Sequence, residues 1–246
     1  MWWSCSKPQL GALFDGAPYG VTASATSLLG DRSDERADMV ARTIRARGVL
    51  DTRVLEAMRR VPRHEFVPRQ LQQLAYTDQP LPIGHGQTIS QPYIVALMTE
   101  LAQIHEGDRG LEIGTGCGYQ TAVLVEMGMS VVTIEIQADL ASEAEARLRR
   151  LGYSETQLQC HAGDGSSGWP ASGPYDAIVV TAAAPVLPEQ LLSQLRDGGR
   201  LILPIGPRDG TQRLEKWVRR DHADGPTTYE SSFILNVQFV PLQCST

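Results

Sequence analysis

Nowhere in its 246 residues does the chain carry an apolar run near the ~20 residues that a membrane-spanning helix requires. Its apolar stretches, such as 177–180 and 201–205, are strand-sized. Cysteine is scarce: Cys5, Cys117, Cys160 and Cys244 stand apart, with no CxxC pair, which excludes a disulfide framework or a zinc-ligand spacing. Excess positive charge is missing too. The net charge is −6, and the arginines between Arg32 and Arg69 are interspersed with Asp34, Glu35, Asp51 and Glu56, as on solvated helix faces. Nucleic acid is therefore not the expected partner. Residues 1–30 hold Trp2 and Trp3 but no basic stretch leading into an apolar one, so no leader peptide is expected and a reducing cytoplasm is the expected compartment.

What is present is a balanced globular composition, 42% hydrophobic and 20% charged. A Gly-, Ser- and Pro-rich opening over 1–32 reads as a loosely ordered extension, and 33–246 as one domain. Ser33 is placed to cap a first helix with Ala37, Val40, Ala41 and Ile44 on one face and Gly48 at its end. Asp51 starts a second helix that Pro62 stops, and a loop through Pro68, Pro80 and Pro82 follows. Gln91-Pro92 opens a third helix, which Gly107 is expected to close. These elements, 33–107, precede a strict alternation of strand and helix from 108 onward. Strands are predicted at 110–113, 130–134, 158–161, 177–181 and 200–204, with helices at 119–127, 138–151 and 188–195 between them. That rhythm belongs to a doubly wound, mostly parallel α/β sheet. Two last strands, 214–219 and 232–240, have no helix between them and predict an antiparallel edge.

The sharpest motif lies between the first of those strands and its helix: Glu112-Ile-Gly114-Thr-Gly116-Cys-Gly118. Glycines there permit a tight turn and close approach of the backbone to a ligand. A dinucleotide site would place its third glycine one residue later, where Tyr119 stands. The GxGxG spacing with a preceding acid suits adenosylmethionine, whose ammonium would gain from Glu112. Glu135 ends the second strand, where an acid can accept from both ribose hydroxyls, and Asp164 in Gly163-Asp164-Gly165 could accept from an adenine amino group. Three acids at strand C-termini, the ligand-binding edge of such sheets, point together to a nucleoside-type cofactor.

Upstream, Gly84-His85-Gly86-Gln87-Thr88-Ile89-Ser90-Gln91-Pro92-Tyr93 sets two hydroxyls beside the positive end of the third helix. Such a site attracts a carboxylate, though Ser90 could equally serve only as the helix cap.

Thr88-Ile-Ser90-Gln-Pro-Tyr93, Leu111 through Gln120, Gly163-Asp-Gly165 and Thr181-Ala-Ala-Ala-Pro185 together resemble the protein-L-isoaspartate O-methyltransferases. So do Val61-Pro-Arg-His-Glu-Phe-Val-Pro68, Gly198-Gly-Arg200 and Val240-Pro-Leu242, so that the likeness runs from about Ser33 to Leu242. It implies a Rossmann-like class I methyltransferase sheet with added N-terminal helices and an antiparallel C-terminal strand. It further implies S-adenosyl-L-methionine as methyl donor, no metal, and isoaspartyl (less well, D-aspartyl) residues of proteins and peptides as acceptors. A monomer with neither nucleic acid nor membrane as partner is the expectation. Cofactor contacts are expected at Glu112, Gly114, Thr115, Gly116, Gly118, Glu135, Ile136, Asp164 and Gly165. The active-site serine of the family falls on Ser90, with Thr88, Ile89 and Val240 beside it on the acceptor side. Val95 stands where some animal members have a histidine, and the chain stops soon after Leu242, where those members continue; both differences are expected to bear on affinity and substrate reach rather than on the reaction class.

Other reactive side chains invite blander readings. His64 is expected to make a structural hydrogen bond, His161 to pack, and Cys117 to be a small residue in a tight loop; His85 could touch substrate. A nicotinamide oxidoreductase is opposed by Tyr119 and by the lack of a Tyr-x-x-x-Lys pair, and a binding-only protein by the presence of Ser90 and Asp164. A different methyl acceptor, such as a small carboxylate, stays open on the residues alone.

Overall fold

Burial on both faces of the central strands decides how this chain packs. The structure, a computed structural model, describes residues 32–244. The expected extension over 1–32 lies outside the described residues except for Arg32, whose guanidinium binds Glu35 and the Gln72 carbonyl.

Nine strands and six α-helices are described. The helices are α1 (Ser33–Asp38), α2 (Thr52–Arg60), α3 (Pro92–Ala102), α4 (Tyr119–Glu126), α5 (Ala138–Arg150) and α6 (Glu189–Ser193). A short hairpin, β1 (Leu81–Gly84) and β2 (Gln87–Ile89), stands apart from the main sheet of β3 (Arg109–Ile113), β4 (Ser130–Glu135), β5 (Leu158–Ala162), β6 (Tyr175–Val180), β7 (Leu195–Ile205), β8 (Gln212–His222) and β9 (Gly225–Val237). The order is β5-β4-β3-β6-β7-β8-β9, parallel from β5 to β7 and antiparallel across the last two pairings. This is the Rossmann-like arrangement, and its strand order reverses between β3 and β6, where such sheets open a crevice.

Both faces of the sheet are covered. Ala177 and Val179 of β6 and Ile202 of β7 pack into the larger core with α2, α3 and α4 residues. Their neighbours Ile178, Val180, Leu201 and Leu203 point the other way, onto Leu191 and Leu192 of α6. All six β6 residues are buried, as a central parallel strand requires.

Register places the site. Ile113 pairs with Ile134 and with Val180, so the next residues, Gly114, Glu135 and Thr181, leave the sheet side by side.

Several expectations are corrected. Ser33 does not cap α1: the cap position is Arg32, in the left-handed region with no side-chain bond to the helix. The helix then widens over Met39–Ile44, which moves the buried face to Arg36, Met39, Val40 and Ile44 and leaves Ala37 and Ala41 exposed. Gly48, at φ 97°, does end this run. Asp51 does cap α2, accepting from the Arg53 N–H at 2.8 Å. The third helix ends at Gln103, φ 49°, rather than at Gly107. The loop expected through Pro80 and Pro82 contains the β1–β2 hairpin. The final strand stops at Val237; residues 238–243 cross back over the sheet end, the Ala183 N–H donating to the Val240 carbonyl and the Leu242 N–H to the Ala183 carbonyl, both at 2.8 Å.

Candidate active site

The β3–α4 turn is built from positive-φ glycines: Gly114 at 93°, Gly116 at 54° and Gly118 at 89°. At Gly114 a side chain is excluded twice, by this φ and because a Cβ would collide with the Thr181 hydroxyl. That hydroxyl donates to the Gly114 carbonyl at 2.5 Å, with the Ile113 carbonyl at 3.1 Å.

Glu135, 6% exposed, faces the turn from the end of β4. Its Oε2 accepts from the Gly116 N–H at 2.9 Å and its Oε1 from the Gln137 N–H at 3.1 Å. Each oxygen retains a lone pair, enough to accept from two hydroxyls of a ligand. The β1–β2 hairpin closes the other side. Its Ile83 reaches within 3.6 Å of the position a Gly116 Cβ would take, and Gln137 donates to the His85 carbonyl at 3.3 Å.

Between these walls lies a cleft of about 810 Å³ of space, its open mouth included. Gly114, Thr115, Gly116, Glu135, Ile136, Thr88, Ile89, Ser90 and Val240 all line it. Glu135 is the only Asp, Glu, Lys or Arg on that wall among the described residues. An outer groove adjoins it, and Thr88, Ser90, Thr181 and Val240 belong to both walls. The described residues hold no cluster of His, Cys, Asp or Glu suited to a metal ion.

Four of the expected cofactor residues do not reach this cleft. Glu112 is fully buried beneath the turn; its Oε2 accepts from the Thr121 and Thr133 hydroxyls at 2.5 and 2.7 Å, and its Oε1 has no partner. Burial pushes its carboxyl up to about 8 despite those two bonds. Enclosed in this way and absent from the cleft wall, Glu112 reaches the turn through Thr133 and the Thr115 hydroxyl 2.6 Å from it rather than facing the place of a ligand ammonium. Gly118 faces away from the cleft, toward Leu148, and heads α4. Asp164 and Gly165 follow β5 next to Glu135, whose carbonyl accepts from the Gly163 N–H, but they stand outside the lining; Asp164 Oδ1 accepts from the Ser166 N–H at 2.8 Å.

The acceptor side also differs from the expectation in one respect. Gln91, not Ser90, occupies the cap position of α3, and the first free helical N–H, that of Tyr93, is taken by Asp78 Oδ1 at 3.2 Å. Pro92 has no N–H to offer. The helix end is thus largely satisfied, while the half-buried Ser90 hydroxyl has no hydrogen-bond partner among the described residues.

Remaining expectations sort cleanly. His64 Nδ1 lies 2.6 Å from the Tyr76 hydroxyl, a structural bond, and His161 stacks on Trp169 with ring centroids 4.1 Å apart. Cys117 is buried, which raises its thiol pKa and leaves it unreactive. His85 sits in the hairpin turn at φ 53°, outside both walls. Thr181 was not singled out from sequence as a site residue. A hydroxyl directly after a strand, level with a glycine turn, is the signal that could have found it.

Known proteins share this sequence and this fold. The family model described as protein-L-isoaspartate(D-aspartate) O-methyltransferase matches residues 34–245. A protein-L-isoaspartate O-methyltransferase of Methanoculleus marisnigri is 55% identical over 187 residues, 76% of this chain and 84% of its own. One from Rhodopseudomonas palustris is 50% identical over 222 residues, 90% of this chain and 86% of its own. Among solved structures, one from Plasmodium falciparum, assigned to the same activity and complexed with S-adenosyl-L-homocysteine, covers 85% of this chain and 99% of its own, with TM-score 0.71 and 25% identity. Another protein-L-isoaspartate O-methyltransferase gives TM-score 0.72 at 28% identity over 85% of this chain, which spans 65% of that longer protein. The chain belongs to the protein-L-isoaspartate(D-aspartate) O-methyltransferase family.

Proposed function

We propose that the inner cleft holds S-adenosyl-L-methionine, that the outer groove takes the isoaspartyl segment, and that Ser90 holds the acceptor carboxylate where the two meet. The family activity itself is that of a repair enzyme: it methylates the free α-carboxylate of L-isoaspartyl residues in damaged proteins and peptides. One observation carries the assignment of roles. Thr88, Ser90, Thr181 and Val240 are shared by both walls, so a group bound in either cavity meets the other across them.

The cleft suits this cofactor by charge and by shape. When bound, the cofactor supplies a methyl group on a cationic sulfonium. A wall whose one charged side chain among the described residues is Glu135 favours a cation, and among those residues it offers no lysine or arginine to a pyrophosphate. Glu135 keeps two lone pairs for ribose hydroxyls, and Ile136 gives an apolar surface for a base. Gly114 and Gly116 hold bare backbone against the cavity.

An acceptor carboxylate, with a pKa near ~4, is already ionised at neutral pH and needs no general base. Ser90 donates one hydrogen bond to one of its oxygens, which orients it and leaves the other oxygen nucleophilic. Among the described residues the inner wall beside Ser90 holds no cation to dull that oxygen, and Arg47 belongs to the outer wall alone. Ile89 and the Val240–Leu242 crossing exclude water that would solvate the carboxylate. The methyl ester so formed carries methoxide, a better leaving group than the oxide of a carboxylate; the following backbone amide nitrogen attacks the ester carbonyl, gives up its proton and expels methanol, closing a succinimide whose hydrolysis returns part of the material to L-aspartate.

The same proposal has the enzyme act as a monomer on protein and peptide substrates, and the net charge of −6 speaks against nucleic acid as a partner. A cytoplasmic setting is part of the same proposal, supported by free thiols at Cys117, Cys160 and Cys244. Among the described residues no helix is long and apolar enough to cross a membrane.

The decisive experiment incubates the enzyme with labelled S-adenosyl-L-methionine and paired peptides differing only in L-isoaspartate against L-aspartate. Base-labile label on the isoaspartyl peptide alone is expected. Label on neither, with cofactor binding intact, would reject this acceptor.

A further inference from the structure

Among the described residues Arg47 is the only charged side chain on the wall of the outer groove; the rest of that wall is neutral or apolar. It arrives from the end of the first helical run, next to Gly48, far in sequence from Ser90 but on the same wall.

Its guanidinium is held in place. It lies 3.5 Å from the centroid of the Tyr93 ring, and one terminal nitrogen is 2.5 Å from Asp78 Oδ2. Asp78 is itself fixed by accepting, through Oδ1, from the Tyr93 N–H at 3.2 Å. The ring covers a face of the guanidinium and Asp78 takes one nitrogen. The other in-plane N–H groups remain open, on a side chain that is 45% exposed. A planar cation fixed on an aromatic platform, with free in-plane donors, is suited to binding a carboxylate.

We infer that Arg47 is a specificity-determining residue that engages the carboxylate of an aspartyl or glutamyl side chain flanking the isoaspartyl residue of the substrate. The inference rests on the outer groove being the substrate path. Its chemistry is asymmetric: an acidic flank gains an ion pair, whereas a basic flank meets a like charge and finds no acid on the wall. Asp78 already balances part of the charge and solvent screens the rest, so the preference is a modest one, about three- to tenfold.

The test uses isoaspartyl peptides identical except for one flanking residue, Glu, Gln or Lys, scanned over about three positions on each side, with kcat/KM measured for wild type, Arg47→Gln and Arg47→Glu. At one flanking position the wild type is expected to favour Glu over Lys by about three- to tenfold at low salt, less at high salt. Arg47→Gln should abolish that ratio and Arg47→Glu invert it. A ratio taken within one enzyme cancels any common loss of folding or turnover. A wild type indifferent to charge at every position, or a preference unaltered in Arg47→Glu, overturns the assignment. Asn236→Trp, which fills the same groove, separates the two levels. If it raises KM for all peptides while Arg47→Glu leaves the ratio intact, only the role of Arg47 fails. If it raises KM for none, the substrate path fails, and Arg47 with it.

Discussion

The Thr181 hydroxyl donates to the carbonyl of Gly114 at 2.5 Å and occupies the space that any side chain at position 114 would need. Two residues 67 positions apart, each just beyond the end of a strand, thereby fix the start of the glycine turn. Removing the hydroxyl frees that carbonyl to move, and with it the backbone proposed to bear the cofactor. Thr181→Val, nearly isosteric, should weaken cofactor binding by roughly tenfold, the loss of about one net hydrogen bond, and Thr181→Ser should restore most of it. Calorimetric titration with S-adenosyl-L-homocysteine checks this; equal affinities for Val and Ser would reject the role.

Ser90 stands on the other side of the same junction with a hydroxyl not bonded to any described residue. Because Gln91 stands at the cap position of α3 and Asp78 takes the Tyr93 N–H, Ser90 is not needed for the helix. Ser90→Ala should therefore leave the melting temperature nearly unchanged. Turnover on isoaspartyl peptides should fall far more, by about tenfold or greater, than cofactor affinity does. Equal losses in both, or none, would count against it.

Glu135 accepts two backbone N–H groups and retains capacity for two hydroxyls. An amide at this position has one accepting oxygen and a nitrogen that repels the N–H it faces. Glu135→Gln should raise the cofactor dissociation constant by roughly ten- to a hundredfold, in line with about 1.5–3 kcal/mol for hydrogen bonds to charged groups. A loss below about threefold would mean that the ribose does not sit there.

Glu112 supplies a prediction in pH. Burial raises its carboxyl from 4.5 to about 8. The folded protein thus holds a proton that the unfolded chain releases above about 4.5. The stability linked to this group is fully present below that pH, declines as pH rises, and is lost through about 8. At about 1.4 kcal/mol per pKa unit the span amounts to several kcal/mol. Glu112→Gln keeps an acceptor for Thr121 and Thr133 and removes the titration. Thermal melts between about pH 5 and pH 9 should show a falling midpoint for wild type and a flatter curve for the variant. Parallel curves would show that Glu112 does not carry the slope.

Much of this architecture is legible along the chain because β-strands and helices of a parallel sheet advertise themselves by length and by burial on both faces. The five parallel strands fall where their apolar runs lie, and Gln91-Pro92 opens α3 as proline at a first helical position should. The β1–β2 hairpin escapes such reading, since a four-residue and a three-residue strand show no period and Pro82 argues for a loop. The first helix misleads for another reason. Its small alanines carry little hydrophobic preference, so the bonds of Arg36 to the Arg59 carbonyl and of Arg32 to the Gln72 carbonyl choose the buried face instead.

The site divides along the same line. Sequence by itself determined the glycine turn, the acid that ends β4, and the Thr88-Ile-Ser90 segment, because each is a local pattern whose chemistry depends on neighbours in the chain. Tertiary structure alone decided that Glu112 lies sealed under the turn, that Thr181 clamps Gly114, that Asp78 satisfies α3, and that Arg47 shares a wall with Ser90. The physical reason is range. Backbone conformation and periodicity are set within a few residues, whereas burial, charge environment and the pairing of spare donors with spare acceptors exist only after distant segments have packed together.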